Sequence, residues 1–365
     1  MNIYIPLGLF FALICFIFRS NEKEAKTAFL WTMIVSCIFA MLRYEFGPDY
    51  FNYREVYEGI QGADVENYIG RGMSIEKAFL YLLQVFPKFT YFVISLTVLW
   101  FVLNALFLKK YVPSQYFGVV VLYFFFKNDY FLDSLVAMRT TLCAAIFLIA
   151  VFFLAQGKKG IFAILVVLAS FFHTSSIALL PLAFLTGKSK SLLFNDIVLW
   201  ILGLIALISV LIGHNFLVES LSSLVMDSFD ELQRYSNRDV SSVGQSFNTL
   251  VFRIMSFSIL FYLAKSGEKE KDPTIVIFYK IAVVAAMINL IMGQSLINDR
   301  FFLILNPFYI TAIVLSYKKN PAHINIIVSI FLFVIAIYIF YNKFSRPYFV
   351  SFLEYHTIFS APYIP

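Results

Sequence analysis

Long apolar stretches separated by short polar turns run the length of the chain, with no sustained alternation of apolar and polar positions. Eleven apolar blocks fall at about 2–18, 28–44, 89–108, 112–127, 131–155, 161–186, 194–214, 247–265, 274–293, 299–317 and 322–342. Blocks of this size suit helices that cross a bilayer, which need about 20 residues each. A membrane barrel would instead show alternating segments of about ten residues. Residues 74–88 (SIEKAFLYLLQVFPK) are shorter and more charged, and predict an amphipathic helix lying in the interface. The pattern predicts an all-α polytopic membrane protein with about 10–12 transmembrane helices, forming one integral membrane domain over 1–365.

Composition sharpens this. Of 365 residues, 61% are hydrophobic and only 14% charged, far from the roughly 25% charged residues of a soluble domain. Residues 2–18 lack a basic leader and read as a retained first span. The net charge of +6 is scattered between blocks, so no nucleic-acid surface is suggested. Cys15, Cys37 and Cys143 lie inside apolar blocks, away from any disulfide framework or thiolate metal site.

Topology follows from lysine clusters in the short loops, at Arg19/Lys23/Lys26, Lys109/Lys110, Lys158/Lys159, Lys188/Lys190, Lys265/Lys269/Lys271 and Lys318/Lys319. Cytoplasmic placement of all of them requires an even number of crossings between neighbours. The interval 160–187 holds a single block interrupted by His173-Thr174-Ser175-Ser176. Either it is a broken or re-entrant hairpin lining a cavity, or it is an ordinary span with one cluster on the other face. Under the all-inside assignment three polar pieces lie outside: loops 43–88 and 215–246 and the tail 343–365. Nine of the ten arginines (all but Arg19) then lie outside or in the outer half of a span.

Arginine is the side chain suited to planar, bidentate recognition of phosphate and carboxylate. Within a span it is costly and marks a functional cavity. Arg139, Arg253 and Arg300 each stand a few residues inside an apolar block, and Arg43 caps the second. Singly, each could snorkel or pair with a nearby acid such as Asp133 or Asp299; as a set they point to an outward-facing anion site. Tyr44, Tyr50, Phe51, Tyr53 and Tyr57 crowd the first outer loop and Tyr235 the second, as interface residues or as sugar-stacking rings. His173, in SFFHTSS, is either a satisfied buried histidine or a general base. Phosphate-loop, dinucleotide-binding, zinc-protease and serine-nucleophile motifs are absent, as is a D-x-D pair for metal. No metal and no cofactor are called for.

Four segments together resemble the EpsG-type, Wzy-like polysaccharide polymerases. They are RYEFGPDYFNY (Arg43 to Tyr53), AMRTTLCAAIFLIAVFFLAQGKKG, VLASFFHTSSIALLPL and INDRFFLILNPFYI, in order over about 40–315. Thr140 and Pro48 depart from the residues frequent in that family. The resemblance implies a metal-independent membrane glycosyltransferase in a bacterial cytoplasmic membrane, with its active site facing outward. Its substrates would be polyprenyl-diphosphate-linked oligosaccharides, with a chain-length-regulating co-polymerase as a further partner. A hydroxyl of the acceptor unit would attack the reducing-end anomeric carbon of the donor glycan, lipid diphosphate leaving. Carried onto this chain, Arg139 and Arg300 are first choices for diphosphate, and Arg43 and Arg54 second. Asp49 or His173 is the base, and Tyr50 and Tyr53 position sugar or brace the loop. An O-antigen-type ligase, a lipid-linked glycan flippase and a membrane acyltransferase are the rival readings.

Overall fold

In the computed structural model the described residues are 4–61, 65, 75–126, 130–211, 247–292, 296–344 and 356–359. The expected outer loop 215–246, with Tyr235, lies outside them, and the tail is described only at its start and at 356–359. Among the described residues every apolar block carries helix, with 131–155 and 161–186 each divided between two helices. Among the described residues, five helices are long and apolar enough to cross a membrane. Their neighbours expose stripes of large apolar side chains at helical spacing, such as Leu9, Phe10, Leu13 and Ile17, or Trp200, Ile201 and Leu204. Apolar residues on the outside as well as in the core are what a lipid solvent permits. This is an all-α, multi-pass membrane protein.

The chain forms two compact units, Met1–Phe184 with Ala336–Pro365, and Leu185–Ile335. The first contains α1 (Tyr4–Ile17), α2 (Glu22–Met41), α3 (Pro48–Ile60), α4 (Lys77–Gln84), α5 (Phe89–Tyr111), α6 (Phe117–Phe126), α7 (Tyr130–Val136), α8 (Met138–Ala155) and α9 (Lys159–Ser170). Helices α1 and α6 pack antiparallel through reciprocal glycines. A side chain at Gly8 would meet Phe125, and one at Gly118 would meet Phe16, both under 3 Å. Small residues are what let helix backbones approach this closely without a hydrophobic drive between them.

The interrupted block 160–187 is broken. Helix α9 has 12 residues, about 18 Å and short of a full crossing. It closes at Phe171–Phe172, and a 3-10 helix, Thr174–Phe184, packs back along it. His173 sits at the break.

Within 74–88 the helix α4 turns Phe79, Leu80 and Leu83 into a core shared with Tyr50, Tyr53, Val56, Tyr57, Phe89 and Phe92, while Tyr81 and Val85 stay exposed. The apolar face that reads as lipid-facing is covered by protein. Tyr57 Oη donates to the Phe86 carbonyl at 2.9 Å, and Gln84 Nε2 to the Ile60 carbonyl at 2.9 Å, closing α3 and α4 into a cap beside α5. The cap's entry is a strained turn. Gly47 has φ +80° and lies where a Cβ would be 2.5 Å from Val136 Cγ2, so only glycine fits. Strand β1 (Arg43–Tyr44) pairs antiparallel with β2 (His356–Thr357), and Ile358 N–H donates to the Leu42 carbonyl at 2.9 Å. The tail segment thus returns to the end of α2.

The second unit contains α10 (Asp196–Leu211), α11 (Phe247–Glu268), α12 (Pro273–Met292), α13 (Leu296–Ser316) and the start of α14 (Ala322–Phe344). Helices α11, α12 and α13 run up, down and up against one another. A polar network ties the end carrying the lysine clusters. Lys319 pairs with Glu270 at 2.5 Å, Ser316 Oγ lies 3.1 Å from Tyr279 Oη, and Asn320 Nδ2 donates to Ser266 Oγ at 2.7 Å.

Candidate active site

Three segments distant in sequence meet at one carboxylate. Glu76 is the residue before α4, and it is drawn inward because Phe79, Leu80 and Leu83 behind it are buried in the cap. Its Oε1 accepts the Thr174 backbone N–H at 2.7 Å and the Thr174 hydroxyl at 3.3 Å, and lies 3.3 Å from His173 Nδ1. Its Oε2 accepts from Arg139 Nη1. The break between α9 and the 3-10 helix exposes backbone N–H groups, and a carboxylate is a favoured partner there. Arg139 is the second residue of α8; its Nε donates to Tyr53 Oη at 3.2 Å and its guanidinium lies 6.0 Å from the centre of the Tyr53 ring. Arg139 is 9% exposed and His173 6%.

The electrostatics are those of a shared counter-charge. Burial works to raise the Glu76 carboxyl. The hydrogen bond from His173, the charges of Arg139 and His173 and the Thr174 N–H outweigh it and bring the carboxyl to about 2. Glu76 is therefore ionised and can only accept. Facing it, His173 donates through Nδ1, so in the neutral ring Nε2 holds the basic lone pair.

Of the expected site residues, the structure brings together Arg139, Tyr53 and His173. Asp49 is half-buried in the first turn of α3, one turn before Tyr53 on the same face. Tyr50, 1% exposed, is packed edge-on against Phe89 and Tyr53 tilted against Phe79. Neither ring has a face open for stacking on sugar; both brace the cap. Arg43 is 1% exposed and ties the end of α2 to α5, donating through Nη1 to the Ala40 carbonyl at 2.5 Å and Thr97 Oγ1 at 2.7 Å. Arg54 is held by local acids, Glu58 at 2.8 Å and Glu45 at 3.1 Å, and by the Tyr44 hydroxyl at 3.0 Å. Those contacts hold Arg54 and the Nη1 end of Arg43.

The other two arginines belong to the second unit. Arg300 is half-buried in α13, next to Asp299. Arg253 is 7% exposed in the second turn of α11, and its Nε and Nη1 have no hydrogen-bond partner. No acid pairs with it among the described residues.

Glu76 is the residue that sequence reasoning misses. Beside Lys77 in a charged segment it reads as a solvated acid. Only the inward turn of α4 makes it the partner of Arg139 and His173. Among the described residues no three His, Cys, Asp or Glu side chains converge as metal ligands would.

The fold and this cluster define a multi-pass membrane protein with a buried arginine–carboxylate–histidine centre under a cap. A family model matches residues 26–357, and the chain belongs to that family, the EpsG family, a Wzy-like polysaccharide polymerase family. No curated protein and no solved structure matches the chain.

Proposed function

We propose that this polysaccharide polymerase joins polyprenyl-diphosphate-linked repeat units on the outer face of a bacterial cytoplasmic membrane. The observation that carries the reading is the Glu76 carboxylate shared by Arg139 and His173. A neutral imidazole whose Nδ1 is held by a carboxylate is a base at Nε2, and the same carboxylate stabilises the imidazolium formed. In this scheme His173 Nε2 takes the proton of an acceptor hydroxyl as its oxygen attacks the reducing-end anomeric carbon of the donor. The new glycosidic C–O bond forms, the anomeric C–O bond to phosphate breaks, and lipid diphosphate leaves with the bonding electrons. Arg139 keeps Glu76 ionised and in place. Asp49, one turn from Tyr53, is the alternative base. The step needs no metal, and a chain-length-regulating co-polymerase is the expected protein partner.

The test is the glycan profile of cells lacking the protein. Single repeat units outside, with no ladder, support the reading. A ladder retained on its lipid carrier indicates a ligase, and units trapped inside indicate a flippase.

A further inference from the structure

A cationic side chain sealed inside a helical unit without a counter-charge is expensive, and Arg253 is in that state. It is 7% exposed, two of its nitrogens donate to nothing, and no acid faces it among the described residues. Arg139 is the opposite case, with its charge cancelled by Glu76 and its Nε used by Tyr53. A neutralised arginine is a poor anion trap; an unpaired one with bare donors is a strong one.

Polar groups stand beside Arg253. Ser256 lies three residues on, on the same face of α11, 2% exposed, and its hydroxyl accepts from Asn289 Nδ2 of α12 at 3.3 Å. One residue away, Ile254 is 53% exposed, so the lipid-facing side of α11 adjoins the site. Level is set by the helix directions. The far ends of α11 and α13 meet in the network of Ser266, Asn320, Lys319 and Glu270. Arg253 and Arg300 therefore both stand near the opposite end of the unit, 12 residues, or about 18 Å, from Lys265 in the case of Arg253.

We infer that Arg253, with the Ser256 hydroxyl and Arg300 at the same end, seats the diphosphate of a lipid-linked substrate, and that Arg139 does not. The inference rests on the polymerase reading. The shared ligand chemistry is a phosphate anion on a lipid, which a prenyl diphosphate or a phospholipid headgroup could supply.

The experiment measures binding of geranylgeranyl diphosphate to the purified full chain in detergent, with phosphatidylglycerol as competitor. Arg253→Gln should weaken binding by about ten- to a hundredfold, the loss of one charge-assisted contact. Arg139→Gln should change it less than about threefold, a shift below the strength of one ordinary hydrogen bond. Without ligand, Arg253→Gln should unfold at the same temperature as the wild type or higher, because an unpaired buried charge is removed; ligand should raise the wild-type midpoint and leave the variant's unmoved. Undiminished binding by Arg253→Gln, displacement by phosphatidylglycerol at comparable concentration, or a lowered ligand-free midpoint would each overturn the inference while leaving the polymerase reading standing. Failure of the wild type to bind the prenyl diphosphate would overturn both.

Discussion

Replacing Glu76 with glutamine keeps the shape of the side chain and removes the charge that joins three segments. Two estimates of the cost converge. The carboxyl lies at about 2 against an ordinary 4.5, because the hydrogen bond from His173, the charges of Arg139 and His173 and the Thr174 N–H overcome the opposing effect of burial. That gap corresponds to at most about 3 kcal/mol of stability at neutral pH, since the part that a charged His173 supplies is absent while its ring is neutral. Removing one partner of a buried pair independently costs roughly 3–5 kcal/mol. Exposed pairs such as Arg54–Glu58 contribute about 0.2–1 kcal/mol. Thermal unfolding of the purified protein in detergent at pH 7 should thus show Glu76→Gln less stable by about 3 kcal/mol, a midpoint lower by roughly 6–12 °C. Adding Arg139→Met to Glu76→Gln should cost little more, because the pair is already broken. The pH dependence has a definite sign. A carboxyl whose folded value is depressed contributes fully above its unfolded value near 4.5 and loses that contribution as pH falls through about 2. Wild type and variant should therefore converge over that window. A loss below about 0.5 kcal/mol at pH 7, in the range of an exposed pair, would refute the shared-carboxylate account.

Gly47→Ala forces a side chain into a φ of +80° and against Val136, and should destabilise by about 1–3 kcal/mol in the same assay. Cysteines placed at Phe51, exposed on the cap, and at Lys269, after α11, test orientation: an impermeant maleimide added to whole cells should label position 51 and spare 269. Chelation of divalent metal should leave elongation by the purified protein essentially intact; strict dependence on Mg²⁺ would require a different scheme.

Hydropathy made the helices legible because the membrane imposes long uninterrupted apolar runs. The four polar residues around His173 were legible as an interruption, but left a broken hairpin and an ordinary span as alternatives. What the pattern hides is which face a polar-flanked helix turns inward. Helix α4 has the same amphipathic signature whether it rests on lipid or on Tyr53 and Phe92, and that ambiguity concealed Glu76. The arginines were visible as a set, but their states were not. Arg54 held by Glu58 and Glu45, Arg43 closing α2 onto Thr97, Arg139 cancelled by Glu76 and Arg253 unpaired are differences of tertiary contact. Tyr50 and Tyr53 show the same limit, since interface tyrosines and core tyrosines look alike in sequence.

The most direct test of the central claim is elongation in proteoliposomes supplied with a lipid-linked repeat unit, comparing wild type with His173→Gln. The account predicts a ladder of multimers from the wild type, and unextended single units from a variant that is folded to the same extent. A ladder of equal length and rate from His173→Gln would contradict it.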